Sequence, residues 1–589
     1  MPSPLALTFA LANLLVLAVA LAASRRELAD RFPRSGRKRR ALLLILLLAF
    51  GVRSLNPYRP VPRMDDTFFR DQAEGLVHHH LNVICALGEM GDCQRFGGFK
   101  SIGYPLILSL AYVLLGFSDV AARLIGVVGG TATVACVYLL MRQLDRDHDE
   151  ALVAALVLAL LPMHVRFASV TLAEVPSVLT ECLAVLAAVV HVRTGRSALG
   201  WLAASSLALH VTVRVENPLA IVPMLVVYWW GREHVRTRPS PLPWLVALVL
   251  VVPHFADLGV TTYGDQPIST RMDPMSITAN FHYVEYWFNG YFNPYLFTAL
   301  ALLGCIAMWC LPPPFARLVA AWWGVRLALH LLHTFGAFVP RYMLPLSVPF
   351  AMACGAGARG RSLAAGSVVA AVLLSGAAHL PFAYAPVFGL ELPAGTRSLL
   401  YALHLAIPMG ILMCAAWMAR GRERAVLFAT IAAGALLVPT LYPAVTVTDG
   451  AGRLMREAIS LEGRTIEEWE HLVGRECYMV VIAPGHTRSA WGRRIVADSR
   501  GKSGESPRSV LNVDAELRED VASLLAKDHC VYLYEQVWEK GNEPSTSLMM
   551  HGSFRLETIE YLTAPMEFAG EMTVFKGLAL YRVSSPREQ

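Results

Sequence analysis

The sequence predicts a mainly α-helical, polytopic membrane protein of about fourteen spans, followed by a compact α/β domain outside the membrane. Three observations predict it. The composition is too apolar for a soluble chain, basic residues recur in every second short loop, and the chain changes character near residue 444. Of 589 residues, 55% are hydrophobic and 16% charged, with a mean hydropathy of +0.46. A soluble domain carries about 25% charged residues, so a string of soluble domains is excluded. Collagen and disorder are excluded as well, since 43 glycines and 35 prolines show no period, and ten cysteines are too few for a disulfide scaffold. The net charge of +6 matters less for its size than for its placement.

A bilayer core about 30 Å thick needs roughly 20 mostly apolar residues per helix. Segments that satisfy this lie near 5–23, 40–56, 120–141, 151–168, 175–192, 197–213, 217–230, 242–257, 294–312, 318–335, 342–357, 362–380, 398–418 and 425–443. The second has the shortest uncharged core, with Arg53 near its end. Short loops rich in Lys and Arg mark the cytoplasmic side. The loop after the first span holds Arg25, Arg26, Arg31, Arg34, Arg37, Lys38, Arg39 and Arg40. The alternate loops that follow carry Arg142 and Arg146, Arg193 and Arg196, Arg232, Arg236 and Arg238, Arg317, Arg359 and Arg361, then Arg420, Arg422 and Arg424. Both termini are therefore expected outside. The opening segment lacks the basic n-region of a signal peptide and is expected to be an anchor.

Three parts then face the exterior: loop 57–119, loop 258–293 and the tail 444–589. The organisation expected is an extra N-terminal span with a basic cytoplasmic loop (1–40), a transmembrane catalytic region (41–443) and the external domain (444–589). In the tail, helical patterns at 452–472 and 514–527 alternate with β-like runs at 477–485, 529–537, 554–562 and 573–583. Residues 498–510 read as a flexible loop. Cys136, Cys182, Cys305, Cys310, Cys354 and Cys414 fall in spans as small core residues. An oxidising exterior would permit bridges Cys85–Cys93 and Cys477–Cys530.

In loop 57–119, Phe69, Ala73, Leu76, Val77 and His80 recur at helical spacing, so 67–80 is expected to be an amphipathic helix on the membrane surface. Asp65 and Asp66 stand just before it. One of them can cap that helix, or the pair can act as a base or metal ligand at the water–lipid boundary; the two roles can coexist. His78, His79 and His80 are consecutive, so on a helix they point about 100° apart and do not converge on one ion. A glycine-rich entry, Lys100 and a Gly103-Tyr104-Pro105 turn then lead into an apolar segment too short to cross comfortably. Asp119 and Arg123 open the next span.

Ionisable residues in or at the edges of spans are costly and point to function. Glu174 begins a span and Glu181 lies two turns deeper. Arg214 and Glu216 end another, where the helix breaks before Pro218. Arg341 and Tyr342 stand at an outer end. Asp65, Asp66, Glu174, Arg214, Glu216, Arg271 and Arg341 all fall on the external side of this topology. For each one, snorkelling or structural pairing is the competing explanation, but together they are one-sided.

These pieces resemble the GT-C glycosyltransferases, polytopic enzymes that use polyprenyl-phosphate-linked sugars and include the protein O-mannosyltransferases and the aminoarabinose transferase of lipid A. The resemblance runs in order over about residues 40–357. It comprises the external Asp pair, the amphipathic helix, Gly103-Tyr104-Pro105, a span opening with an arginine, Ala173-Glu174-x-Pro176, an arginine before the break at Pro218, and Pro340-Arg341-Tyr342-x-Leu344-Pro345. The resemblance implies a GT-C-type bundle and a catalytic acidic residue at Asp65 or Asp66. From their placement, the residues expected to bind substrate are Lys100, Tyr104, Glu174, Arg214, Glu216, Arg271, Arg341 and Tyr342, with Arg341 and Lys100 or Arg214 facing the phosphate and Glu174 orienting the acceptor or tuning an arginine. The sequence departs from the pattern in its extra N-terminal span and in an Asp-Asp pair where many relatives have Asp-Glu or a spaced pair.

Chemistry leads the same way. A sugar on a polyprenyl phosphate has its scissile bond held at the membrane surface. Transfer needs a base for the acceptor hydroxyl, worth about 10²–10⁴-fold, and cations for the departing phosphate. A single displacement inverts the anomeric carbon. The expected partners are a polyprenyl-phosphate-linked sugar, a lipid, glycan or protein acceptor, and membrane lipids; nucleic acid is not expected. A divalent metal at the Asp pair is left open. The expected site of residence is the bacterial cytoplasmic membrane. A transporter or flippase is the alternative function, but it would bury charge near the midplane among inverted repeats, whereas here charge gathers at one face and no repeat occurs. A membrane scaffold whose tail binds a partner is the other.

Overall fold

The structure is a computed structural model. It describes residues 4–33, 36–55, 69, 72–73, 75–77, 84–85, 93–94, 102–168, 171–214, 217–231, 240–261, 287, 295–308, 313–332, 340–358, 371–373, 375–377, 478–482, 494–497, 522, 525–528, 530–540, 554–567 and 573–584. Long apolar stretches form helices because only a helix satisfies every backbone group within one segment in lipid. In order they are α1 (Pro4–Ala29), α2 (Gly36–Ser54), α3 (Gly103–Leu115), α4 (Asp119–Gln143), α5 (His148–Leu160), α6 (Pro162–Ala168), α7 (Glu174–Thr194), α8 (Ser197–Val213), α9 (Ile221–Gly231), α10 (Leu242–Thr261), α11 (Tyr295–Ala307), α12 (Pro313–Leu332) and α13 (Ser347–Gly357). Short 3-10 segments at Asn217–Ala220 and Pro340–Leu346 precede α9 and α13.

Among the described residues three helices are long and apolar enough to span a bilayer, within Leu7–Ala29, Val120–Gln143 and Glu174–Thr194, and the bent pair α5–α6 adds a fourth. Six further apolar helices are shorter, so the count of fourteen spans is not established. The expected spans 398–418 and 425–443 lie outside the described residues, as does most of 362–380. The protein is mainly helical and built around α7, which is buried along almost its whole length between α4, α8 and α9. Peripheral helices turn leucines outward instead: Leu15 of α1 is 67% exposed and Leu248 of α10 is 60% exposed. An outward apolar face on several helices suits lipid, not water.

The helix ends sort into two poles. At one, Asp145 takes Arg193 at 3.0 Å and Arg31 at 3.5 Å, and Arg196 pairs with Glu27. There too, buried Arg146 grips Glu150 through two bonds of 2.6 and 2.8 Å. These are the ends joined by the basic loops. The opposite pole holds Arg53, Tyr104, Glu174 and Arg214. The extra helix α1 is fastened within the bundle, where Asn13 Nδ2 donates to the Ser205 carbonyl at 3.1 Å.

The expected span 151–168 is not continuous: α5 and α6 meet at a 57° bend. Pro162 lacks an N–H and its ring crowds the carbonyl four residues back, which is that of Leu158. Arg53 fills the break. Its guanidinium donates to the carbonyls of Leu158, Ala159 and Ala49 and to His164 Nδ1, at 2.8–3.1 Å. Gly130 makes the room, since a Cβ there would stand 2.8 Å from Arg53 Nε and 3.0 Å from Ala168 Cβ.

In the tail, five strands form one mixed sheet in the order β4-β3-β5-β7-β6. They are β3 (Tyr478–Ile482), β4 (Arg494–Ala497), β5 (Val531–Lys540), β6 (Arg555–Glu567) and β7 (Thr573–Ser584). β3 is parallel to β4 and β5, while β7 is antiparallel to β5 and β6. The expected runs at 477–485, 529–537, 554–562 and 573–583 are these strands, with β4 additional; the expected helix 452–472 lies outside the described residues. Between α2 and α3 two short paired strands, β1 (Ile84–Cys85) and β2 (Cys93–Gln94), set Cys85 directly opposite Cys93.

Two predictions follow from this packing. Gly130→Ala should lower the melting temperature, at a cost of about 1–3 kcal/mol, while Gly129→Ala, whose new Cβ would meet its nearest atoms at 3.7 and 3.8 Å, should be neutral; thermal unfolding in detergent compares them. Directly opposed cysteines also suit the 4.4–6.8 Å Cα separation of a disulfide. Peptide mapping after thiol blocking in native membranes should recover the 85–93 crosslink, and two alkylated thiols would contradict it.

Candidate functional site

Arg214 ends α8, its backbone extended at φ −148°, ψ 144° because the chain breaks there ahead of Pro218. That break delivers the guanidinium to Glu174, the first residue of α7, at 2.7 Å. A carboxylate at a helix N-terminus also faces unpaired N–H groups and the positive end of the helix dipole. Glu174 is 4% exposed, whereas Arg214 keeps 13% of its side chain open. The carboxylate therefore braces a guanidinium that keeps part of its surface open. Bidentate guanidinium recognition of a phosphate needs that arrangement.

A second storey lies below. Glu181 is seven residues along α7, two turns or about 10 Å deeper on the same face, and His210 is one turn before Arg214 on α8. Arg326 of α12 enters between them, with Nη2 3.0 Å from Glu181 Oε1 and 3.1 Å from His210 Nε2. Arginine can only donate, so His210 Nε2 accepts. Its Nδ1 then carries the proton and donates to the Ser177 carbonyl at 2.9 Å. Asn217 closes the group with Nδ2 2.9 Å from Ser177 Oγ and 2.5 Å from the His210 carbonyl.

The surface helix closes the pole from the side. Residues 69, 72–73 and 75–77 are helical, with Phe69, Ala73 and Leu76 buried at the expected spacing. Phe69 meets Tyr104 edge-on at 4.9 Å, and Leu76 packs on Ile102 and Leu106 beside Ala10 of α1. Gly103 and Pro105 do not form a turn; they occupy the first turn of α3, where a proline's missing N–H costs nothing. Gly103 abuts α8 so closely that a Cβ would come within 2.6 Å of Thr212 Oγ1.

The structure thus brings Glu174, Arg214 and Tyr104 to one pole. Tyr104 is 1% exposed, in a cluster with Leu108, Tyr112, Leu172 and Leu209, so its ring is part of the packing that seats the surface helix. The backbone of Arg341 and Tyr342 runs in the 3-10 segment Pro340–Leu346, which packs against α7, α12 and α6. Asp65, Asp66, His78, His79, His80, Lys100, Glu216 and Arg271 lie outside the described residues. Among the described residues no three His, Cys, Asp or Glu side chains converge as a metal-binding group. The sequence reading passed over Arg326, His210 and Asn217, and also Arg166 on α6, whose guanidinium lies 5.8 Å from the Phe167 ring centroid. Arg326 and His330, four residues apart within the apolar run of α12, were the signal available for the first.

Residues 100–256 match the family described as dolichyl-phosphate-mannose-protein mannosyltransferase. The structure is similar to ArnT from Cupriavidus metallidurans bound to undecaprenyl phosphate, with a TM-score of 0.54 and 13% identity over 93% of this chain and 98% of that one. The apo form of ArnT gives a TM-score of 0.56 at the same identity and coverage. At such identity the likeness is one of fold, and its extent takes in both the helical bundle and the C-terminal sheet. No curated protein matches by sequence. The resemblance to the GT-C glycosyltransferases holds: the fold is theirs, and the family match indicates a glycosyltransferase embedded in a membrane.

Glu174→Ala should leave Arg214 without its charged partner and cost about 1.5–3 kcal/mol. A melting temperature equal to that of the unsubstituted protein would contradict the bracing role.

Proposed function

We propose that this protein transfers a sugar from a polyprenyl-phosphate donor to an acceptor at the extracytoplasmic face of the membrane, with inversion at the anomeric carbon. The observation that carries the reading is the Glu174–Arg214 pair, a braced and partly open guanidinium at the pole opposite the basic loops. By the positive-inside rule the basic pole is cytoplasmic, which puts the site outside and both termini with it. The family match to a mannosyltransferase and the fold shared with a protein bound to undecaprenyl phosphate support a lipid-linked donor.

In this mechanism Asp65 or Asp66 removes the proton from the acceptor hydroxyl, and the resulting oxygen attacks the anomeric carbon. The bond to the phosphate oxygen breaks, and its electron pair leaves on the polyprenyl phosphate. Arg214 and Arg341, with Lys100, take up the growing charge on that phosphate. Glu174 holds Arg214 in place. Glu216, Arg271, Tyr104 and Tyr342 complete the pocket walls, and a divalent metal at the Asp pair would assist the same departure. In sequence the aspartates stand a few residues before the helix that carries Phe69, Ala73 and Leu76. Residues 41–443 form the catalytic membrane region; residues 444–589 serve acceptor recognition or closure.

The test is transfer of radiolabelled sugar from a polyprenyl phosphate by the purified protein. The double substitution Asp65→Asn/Asp66→Asn should abolish product, a loss of at least about 10²-fold, while monodisperse folded protein persists. Turnover that survives this substitution removes both aspartates from the mechanism.

A further inference from the structure

Glu181, His210 and Arg326 have no place in the transfer chemistry, yet they are 1%, 0% and 1% exposed inside the bundle. A buried ion pair is seldom more stabilising than apolar side chains of the same volume, and charge within a bilayer is costly in itself. Stability therefore gives no account of why three helices converge on these groups. The Arg326–His210 hydrogen bond, however, is directional. The helices around them are lined with small residues: Ala184, Ala187 and Ala188 on α7, and Ala203, Ala204, Ser205 and Ser206 on α8, all buried. Such smooth surfaces let backbones approach closely but set their axial register weakly. Arg326, ion-paired with Glu181 at 3.0 Å and hydrogen-bonded to His210 at 3.1 Å, favours one height of α12 against α7 and α8.

We infer that Glu181 and Arg326 are positioning residues: with His210 they lock α12 in register, and thereby place the Pro340–Leu346 segment carrying Arg341 at the height of the Glu174–Arg214 pair. The inference rests on the proposed function for the role of Arg341. Three connections support it. Glu174 and Glu181 share one face of α7, so any slip of α7 moves both. His210 and Arg214 are one turn apart on α8, so the same holds there. Asn217, in the 3-10 turn just after Arg214, bonds the His210 carbonyl and Ser177 Oγ and ties that turn to the lower storey. Above Arg326, His330 Nδ1 lies 2.6 Å from the Arg326 carbonyl, and α12 ends at Leu332 a few residues before the segment that carries Arg341.

The test uses full-length protein in lipid nanodiscs and the apolar exchange Glu181→Met/Arg326→Leu. The melting temperature should be unchanged or raised, while kcat with a polyprenyl-phosphate sugar falls at least tenfold. Genetically encoded spin labels at Val120 of α4 and Ala328 of α12, both exposed, should report a broadened or shifted distance distribution. Wild-type kcat together with an unchanged distribution would overturn the inference and leave the cluster as packing. Should the double variant fail to fold, Glu181→Gln, which keeps the shape and removes the charge, should still lower kcat at least threefold and broaden the same distribution; no change in either contradicts the proposal. If the unsubstituted protein transfers no sugar from any polyprenyl phosphate, the functional reading fails on its own, and the spin-label distances alone decide whether the clamp exists.

Discussion

A guanidinium cannot stand alone in hydrocarbon, and this constraint organises the molecule. Each deeply placed arginine has been given oxygen. Arg53 takes three carbonyls, Arg146 takes both oxygens of Glu150, Arg214 takes Glu174, and Arg326 takes Glu181. Every such pairing joins segments that would otherwise slide past each other, with the exception of Arg146–Glu150, which staples the turn between α4 and α5. Removing a partner leaves an uncompensated charge, which is far worse than never having had the pair. The pairs consequently act as fixed points for the surrounding apolar helices.

Packing distributes these fixed points between two ends with different duties. At the basic pole, Asp145 gathers Arg31 and Arg193, and Arg196 meets Glu27, so α1, α4, α7 and the start of α8 are drawn together there. At the opposite pole the helices end in breaks: Pro162 after α5, Pro218 after α8, and the 3-10 turn before α13. Broken ends expose backbone and polar side chains, and irregular backbone at membrane depth is tolerated only inside protein or beside a wet cavity. The proposed site lies at this end, and Arg53 shows the alternative solution, a break sealed by a side chain.

Much of this was legible in the sequence. Among the described residues the apolar runs are helical near the expected positions, the buried face of the surface helix followed from Phe69, Ala73 and Leu76, and four strands of the tail sheet followed from their β-branched and aromatic content. Glu174 and Arg214, 40 residues apart in sequence, were both marked by the cost of charge at a span edge. Three kinds of feature were not legible. Hydropathy alone marks 151–168 as one span because it is blind to direction, whereas Pro162 bends it by 57°. Arg326 was absorbed into an apolar average, and only its distance from Glu181 and His210 reveals it. The short β4 carries Arg494 beside three apolar residues, and it gains strand character from pairing with β3, not from its own pattern. Tyr104, expected at the substrate, is also packed edge-on against Phe69, a contact that the spacing of neither residue announced.

The most direct measurement is a cryo-electron microscopy structure of the full-length protein with undecaprenyl phosphate bound. The account requires the lipid phosphate at the Glu174 pole, within about 4 Å of the Arg214 or Arg341 guanidinium, as a charge-assisted contact demands. A phosphate seated at the Asp145–Arg193 pole, with the Glu174–Arg214 pair unoccupied, would contradict it.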